Sequence, residues 1–191
     1  MMKKSILLLA ALMLGGCATH WPETALLNPQ VIPSNQQYYS GNRITMEGVD
    51  KREAAYVFSI KKKEKAPVLV NSSQPLNNLL AEKLAEGLRS QGLEVGNSGT
   101  TNLTLAISTA AVTVEEKTFT YVTKSKVSLQ VIADFQGNKL TKQFNMSSSK
   151  EEPGEPTMAD LESTLNQQLG SVLQQIMADE ALRGYLKGQP S

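Results

Sequence analysis

Residue types that carry much of enzyme chemistry are scarce in this chain. It has one cysteine and one histidine, and aromatic residues make up 5% of it. A single histidine excludes a multi-histidine metal site, and His20 lies too close to the N-terminus to suit a catalytic triad. A single cysteine excludes an intramolecular disulfide. No glycine-rich phosphate loop precedes a predicted helix. We therefore expect no catalytic residues, no metal site and no cofactor.

Strong charge of either sign is also missing. The formal charge is +1 at pH 7. Removing residues 1–16 takes away two of the 19 basic residues and leaves 17 against 18 acidic ones, a formal charge of −1. Domains that bind nucleic acid usually carry a clustered basic excess. We therefore expect no nucleic-acid partner.

The N-terminus has the pattern of a secretory signal peptide. Lys3 and Lys4 precede an apolar run over residues 6–14, which two glycines follow. This run is much shorter than the roughly 20 residues that cross a bilayer as a helix. The segment Leu14-Gly15-Gly16-Cys17 resembles a bacterial lipobox, whose cysteine takes a diacylglyceryl group. The alternative is an ordinary signal peptide with a chance cysteine.

The lipobox resemblance implies cleavage before Cys17 and attachment to the membrane by lipid. Ala18 stands where lipoproteins retained at the inner membrane usually have aspartate. This similarity to the enterobacterial sorting rule implies the outer membrane, with the protein facing the periplasm. Three parts are predicted: a signal peptide (1–16), a lipidated cysteine with a tether (17–43), and a single domain (44–191).

The predicted tether has features of both a free linker and a packed segment. Three prolines and several polar residues argue against a helix. A free linker has little use for large apolar residues, so an extended arm packed on the domain is the alternative. The apolar residues in question are Leu26, Leu27, Val31 and Ile32.

The first half of the domain shows two strands and a helix. Alternation predicts strands over residues 44–47 and 56–60. Ser73 or Gln74 suits the helix cap, with Pro75 in the first turn and Gly92 at the end. The apolar stripe of this helix consists of Leu76, Leu79, Leu80, Leu84 and Leu88.

Three antiparallel strands are predicted next. A shift in apolar phase indicates a bulge near residues 108–111, and residues 136–138 form a turn signal. From residue 119 the alternation separates a packed face from a wet face. The packed set is Phe119, Tyr121, Val127, Leu129, Val131, Ala133 and Phe135. The wet set is Thr120, Lys124, Lys126, Ser128 and Gln130.

A second helix closes the chain. Residues 150–157 form a predicted polar loop, and Thr157 with Asp160 resembles a capping box. The helix stripe consists of Leu161, Leu165, Leu169, Val172, Leu173, Ile176 and Leu182, and Gly184 and Gly188 mark the frayed helix end. The order of elements predicts an α+β fold, a two-layer sandwich with two helices packed on one face of a mainly antiparallel sheet.

Two charged clusters are candidate recognition sites. Asp50 and Arg52 lie two residues apart in extended chain, so they project to one side as a structural ion pair or as a site for a charged partner. A basic loop follows the second strand. It either contacts anionic lipid or glycan, or is a solvated hairpin tip. Its lysines are Lys61, Lys62, Lys63 and Lys65.

Three motifs besides the lipobox carry a family resemblance. They are Gly48-x-Asp50-x-Arg52, Tyr121-Val122-Thr123-Lys124 and Gly137-Asn138-Lys139-Leu140-Thr141-Lys142. With these motifs and its order of helices, the mature chain resembles the YajG family of small enterobacterial lipoproteins. The resemblance implies a location and a fold, and it supplies no catalytic residues to transfer.

One hypothesis and two alternatives for function follow. The lead hypothesis is a non-enzymatic binding or adaptor module, anchored to the outer membrane, whose partner is another envelope protein. The first alternative is an accessory factor that contacts lipid or lipopolysaccharide machinery through the basic loop and the wet face. The second is a hydrolase acting through carboxylates alone.

Overall fold

The computed structural model describes residues 21–188. These residues form eight strands and three helices. The strands are β1 (Thr24–Ala25), β2 (Arg43–Asp50), β3 (Tyr56–Lys61), β4 (Val68–Ser72), β5 (Glu94–Gly96), β6 (Thr101–Glu116), β7 (Tyr121–Phe135) and β8 (Asn138–Glu152). The helices are α1 (Leu76–Ser90), α2 (Met158–Ala178) and α3 (Glu180–Leu186). The predicted signal peptide and lipobox lie outside the described residues.

One mixed sheet contains all eight strands. The long strand β6 lies at its centre, with β2 parallel to its first half and β3 parallel to its second half. On the other side, β7 and β8 continue the sheet as antiparallel neighbours. The α+β class and the β6–β7–β8 meander are as predicted. The sheet as a whole is mixed rather than mainly antiparallel, because β2, β3, β5 and β1 all take part in parallel pairs.

The two halves of β6 meet at a bulge. Strand β2 ends opposite Ile107, and the pairing of β3 with β6 begins with Phe58 opposite Val112. The β6–β7 register shifts between Ile107 and Thr109, which confirms the bulge predicted near residues 108–111. The chain turns away between β2 and β3, so a single edge of β6 accommodates both strands.

The helices begin close to the predicted positions, and the last one continues past Gly184 to Leu186, so that only Gly188 lies at the helix end. All five leucines of the α1 stripe are buried, but α1 begins at Leu76, one residue later than predicted, with Pro75 as its cap residue. The capping box of Thr157 and Asp160 at the start of α2 is confirmed. The predicted second helix is two helices, because the chain breaks at Asp179, whose side chain accepts a hydrogen bond from the Leu182 amide at 2.8 Å.

The packed face of β7 is confirmed in its middle and wrong at both ends, since Phe135, the last residue of the strand, is 39% exposed. Its central members, Val127, Leu129, Val131 and Ala133, are fully buried. Phe119 is instead 86% exposed, because it lies in the β6–β7 turn ahead of the first strand residue, Tyr121. Strand β8 continues to Glu152, so the predicted polar loop at 150–157 is shorter than expected.

Residues 21–42, here called the arm, lie against the domain as an extended segment. A row of side chains along α2 accepts hydrogen bonds from the arm backbone. Glu162 accepts from the Leu26 amide and Asn166 from the Asn28 amide, both at 2.8 Å. Gln174 accepts from the Ile32 amide at 3.3 Å.

The spacing of this row explains why it fits an extended chain. Its members recur every four residues, which advances about 6 Å along a helix. Two residues of extended chain advance about 6.6 Å. Gly170 takes the third place in the row, between Asn166 and Gln174, where a Cβ atom would lie 2.5 Å from the Gln30 carbonyl oxygen. Alternate residues of the arm therefore meet successive turns of α2.

Apolar side chains of the arm complete the core. Trp21, Ala25, Leu27 and Tyr39 are buried, and Val31 packs against the same cluster. Leu26 and Ile32 point outward, at 74% and 72% exposure. The arm thus follows the extended-arm alternative, with Leu27 and Val31 packed. In the sequence, only residues 18–20 separate Cys17 from Trp21.

Candidate functional site

Asp50 and Arg52 come together where β2 ends. The Arg52 guanidinium donates to both carboxylate oxygens of Asp50, with Nη2 2.8 Å from Oδ2. Its Nη1 donates to the Tyr56 carbonyl oxygen at 3.2 Å, which bridges the turn to β3. The Arg52 side chain is only 7% exposed. Its hydrogen bonds hold the pKa of Asp50 below the usual range. Because Arg52 binds both Asp50 and the Tyr56 carbonyl oxygen, the pair stabilises the turn between β2 and β3.

The basic loop between β3 and β4 is tied down at one lysine. The Lys62 ammonium lies 2.7 Å from a Glu155 carboxylate oxygen, and this contact raises the pKa of Lys62. The side chains of Lys61, Lys63 and Lys65 are exposed and form no salt bridge within residues 21–188. The Lys63 amide donates to the Glu116 carboxylate at 3.1 Å, which holds the loop beside the β6–β7 turn.

Several loops meet at one end of the sheet, here called the hairpin end. It consists of residues 61–67, 117–120 and 153–156. The strand register brings these loops together, because Lys61 pairs with Glu115 and Tyr121 pairs with Glu152. Phe119 lies at the tip of the middle loop. Sequence reasoning missed its exposure, because the apolar alternation continues unbroken through the turn.

A cleft of about 590 Å³ opens between β8 and the start of α2. Three carboxylates line it, and each has a partner. Glu152 pairs with Lys150 at 2.7 Å, and Glu155 pairs with Lys62. Asp160 accepts from the Thr157 amide at 2.8 Å in the capping box. Within residues 21–188, no three His, Cys, Asp or Glu residues are placed to hold a metal ion.

A buried polar cluster lies beneath α2 beside this cleft. The Gln168 amide donates to the hydroxyl oxygens of Ser125 and Ser148, the latter at 2.9 Å. Ser125 and Gln168 are both buried. The apolar pattern of the sequence does not reveal these polar residues, although Ser125 lies on the same face of the strand as Val127. The cluster gives the contact between α2 and the β7–β8 pair a polar component.

The side of the sheet opposite the helices is polar and is here called the open face. It consists of Lys124, Lys126, Ser128 and Gln130 of β7 with their β8 partners Gln143, Asn145, Ser147 and Ser149. The Ser128 hydroxyl donates to Asn145 at 2.7 Å and accepts from Gln143 at 2.7 Å. These predicted wet residues of β7 therefore lie on a polar side of the sheet, but Ser128 itself is buried beneath its neighbours and is not wet as predicted.

Strand β8 is also an edge of the sheet. Within the described chain it pairs with β7 alone. Its fifteen residues, Asn138–Glu152, leave a row of backbone groups directed away from the sheet.

A family described as "Uncharacterized lipoprotein" matches residues 29–187, which include most of the arm, strands β2 to β8 and all three helices. The chain belongs to this lipoprotein family. The match confirms the resemblance to YajG-type lipoproteins. No curated protein sequence matches the lipoprotein. None of its helices within residues 21–188 combines the length and apolar character needed to cross a bilayer. Lipid attachment at Cys17, in the lipobox, stays a prediction.

Solved structures resemble the lipoprotein in fold. Protein XCC0632 from Xanthomonas campestris has a TM-score of 0.65 at 9% identity, covering 88% of this chain and 99% of that one. A homolog of neuraminyllactose-binding hemagglutinin from Helicobacter pylori has a TM-score of 0.45 at 10% identity, covering 88% and 97%. Rare lipoprotein B from Shewanella oneidensis has a TM-score of 0.36 at 11% identity, covering 72% and 95%. The first likeness shows a shared fold and says nothing about activity.

Proposed function

We propose that this lipoprotein is a non-enzymatic binding or adaptor module that a lipid on Cys17 holds at the periplasmic face of the outer membrane. Its partner is another envelope protein. Family membership supports the lipid anchor, and Ala18 after the lipobox cysteine supports the outer membrane. Each of the three carboxylates that line the cleft already forms an ion pair or a hydrogen bond within the domain. This favours a binding role over a hydrolytic one.

The free edge of β8 is the observation that carries this proposal. Backbone N–H and C=O groups along an exposed edge can pair with an extended segment of another chain. Neither a lipid tail nor a glycan presents a matching ladder of amides and carbonyls, so the edge favours a protein partner. Lys139 and Lys150 lie on this strand, and such lysines discourage indiscriminate pairing between edges.

The open face beside this edge adds polar recognition. Gln143 and Asn145 are already held through Ser128, so their ordering costs little when a partner binds. A strand added next to β8 would extend the open face and place its side chains beside Ser147 and Ser149.

In vivo photo-crosslinking tests the proposal. A photoreactive benzoylphenylalanine replaces Ser147, which is exposed on β8, in the full lipidated chain. We expect one discrete protein adduct, and mass spectrometry should locate the crosslink in an extended segment of that protein. The matched control carries the same residue at Glu82, exposed on α1, and should give no such adduct.

Two outcomes would contradict the proposal. Adducts of equal yield from both positions would mean that β8 is not the contact surface. An adduct with glycolipid in place of protein would favour the alternative that the molecule serves lipid or lipopolysaccharide machinery.

A further inference from the structure

Phe119 is the most exposed large hydrophobic residue of the described chain, at 86%. Single exposed apolar residues are ordinary on protein surfaces. The exposure of Phe119 therefore indicates a function only together with its position in the fold. It lies at the tip of the β6–β7 turn, beside the basic loop, where the Lys63 ammonium lies 3.5 Å from the Thr118 hydroxyl. An exposed aromatic ring next to lysines is a common arrangement at membrane surfaces.

The described chain begins at the same end of the molecule, on the side toward the predicted lipid attachment. Strand β1 runs parallel to β4, with Thr24 opposite Asn71. The chain before Thr24 therefore points toward the start of β4, which is the hairpin end. Trp21 is buried in the core and fixes this direction. Cys17 precedes Trp21 by four residues in the sequence, and four residues of fully extended chain span at most about 14 Å.

The turn that carries Phe119 is close enough to meet the same membrane. Strands β1, β4, β3 and β6 are successive neighbours in the sheet. At about 4.8 Å for each spacing, the end of β6 lies about 14 Å to the side of β1. A bilayer that receives the acyl chains of Cys17 therefore passes close to the hairpin end.

Charge at this end assists the contact without dominating it. The exposed side chains of Lys61, Lys63 and Lys65 can reach lipid phosphate groups. Glu64 and Glu116 lie among them and reduce the positive excess. Phe119 is then the most exposed apolar side chain available for the contact, with Val68 and Leu69 less exposed at 39% and 50%.

We infer that the hairpin end is a membrane-contact surface, in which Phe119 enters the boundary between head groups and acyl chains of the leaflet that holds the Cys17 lipid. This inference rests on the lipid anchor of the proposed function. The domain then stands on the membrane with a fixed orientation, and Gln136–Gly137, the turn between β7 and β8, points away from it.

Depth measurement on the full lipidated protein tests this orientation. The acylated Cys17 has no free thiol, so Thr118→Cys introduces a unique site for a fluorescent label beside Phe119. The protein is reconstituted in vesicles of phosphatidylethanolamine and phosphatidylglycerol that contain brominated lipid. We expect strong quenching of this label. Ser98→Cys, in the exposed loop before β6 at the opposite end, is the matched control and should show none.

A second substitution isolates the role of the ring. Adding Phe119→Ser to Thr118→Cys should clearly lower the quenching, because residues 117–120 retain no other apolar side chain to enter the bilayer. A Thr118→Cys label that stays unquenched on vesicle-bound protein would overturn the membrane contact of the hairpin end but not the lipid anchor. Equal quenching at both ends, or quenching that Phe119→Ser leaves unchanged, would also overturn it. Protein that fails to sediment with the vesicles would overturn the proposed anchor.

Discussion

Gly48 shows why a glycine stands in the Gly48-x-Asp50-x-Arg52 motif. A Cβ atom at this position would lie 2.2 Å from the Asn77 carbonyl oxygen. The Asn77 side-chain amide donates to the Gly48 carbonyl oxygen at 3.0 Å, which fixes α1 directly over β2. The absence of a side chain at residue 48 therefore sets the distance between the helix and the sheet.

Gly48→Ala should destabilise the domain, because the added methyl group meets backbone rather than a flexible side chain. Overpacking of this kind costs about 1–3 kcal/mol. For a domain of this size, that lowers the melting temperature by about 2–12 °C. Gly96→Ala is the control, because a Cβ atom there has no neighbour within 4 Å. Equal melting temperatures for the two variants in calorimetry would show that α1 adjusts freely.

The Asp50–Arg52 pair should make stability depend on pH. The folded state lowers the pKa of Asp50. The pair therefore contributes fully to the free energy of unfolding at pH values above the pKa of Asp50 in the unfolded chain, about 3.9. This contribution is lost as the pH falls through the lower pKa of Asp50 in the folded state. Asp50→Asn should cost about 1.5–3 kcal/mol at neutral pH, typical of a hydrogen bond to a charged group.

Urea unfolding at neutral and acidic pH measures this effect. The difference in midpoint between the natural protein and Asp50→Asn should shrink as the pH drops below about 4. Glu53→Gln, an exposed carboxylate in the same turn, should leave the midpoint unchanged. A difference for Asp50→Asn that persists at acidic pH would mean that shape, rather than charge, determines the contribution of Asp50.

At the scale of elements, the contact between the arm and α2 depends on the row Glu162, Asn166, Gly170 and Gln174. Gly170→Ala should push the arm away from α2, because the new methyl group would meet the Gln30 carbonyl oxygen. Amide hydrogen exchange at Leu26, Asn28 and Ile32 should then become faster.

Gly184→Ala in α3 separates this effect from helix propensity. Alanine favours a helix over glycine by about 1 kcal/mol, and a Cβ atom at residue 184 has no neighbour within 4 Å. This variant should be slightly more stable, and the rate of amide hydrogen exchange in the arm should not change. If Gly170→Ala behaves in the same way, the arm is not held by close contact with α2.

The two faces of β7 should respond differently to the same charge. Leu129 is fully buried between Ile107 and Phe144, which are its cross-strand neighbours. Leu129→Asp should therefore cost several kcal/mol, a large part of the roughly 5–15 kcal/mol expected for a domain. Gln130→Asp on the open face should change the melting temperature by only a degree or two. Thermal melts of both variants test this contrast, and equal losses would mean that the open face is covered.

Local patterns predicted much of what the elements look like. The α1 stripe, the bulge in β6 and the Thr157 cap each depend on residues close in sequence. The parallel pairing of β2 and β3 with the two halves of β6 was not predicted, because it joins residues some fifty positions apart. The polar row on α2 was missed for the same reason, since its ligands are backbone amides of the distant arm. Phe119 was misplaced because a turn interrupted an apparently continuous strand.

At the scale of the whole molecule, position relative to the membrane depends on the arm. Its buried Trp21 leaves three residues between the fold and the predicted lipidated cysteine. After cleavage the chain carries a formal charge of −1, so net charge gives little attraction to an anionic surface. Two or three acyl chains bind a bilayer far more firmly than one, so the lipid should dominate membrane attachment.

Cys17→Ala should abolish this attachment, because no other residue of the chain carries a thiol. We expect a protein of precursor size that incorporates no labelled palmitate and is absent from the outer-membrane fraction. His20→Ala, three residues further along, should be processed, labelled and fractionated like the natural protein. Gel mobility, palmitate labelling and membrane fractionation of the two variants measure the result. A Cys17→Ala protein of mature size in the outer-membrane fraction would show that something other than the lipid on Cys17 holds the domain there, and the orientation inferred for Phe119 would lose its basis.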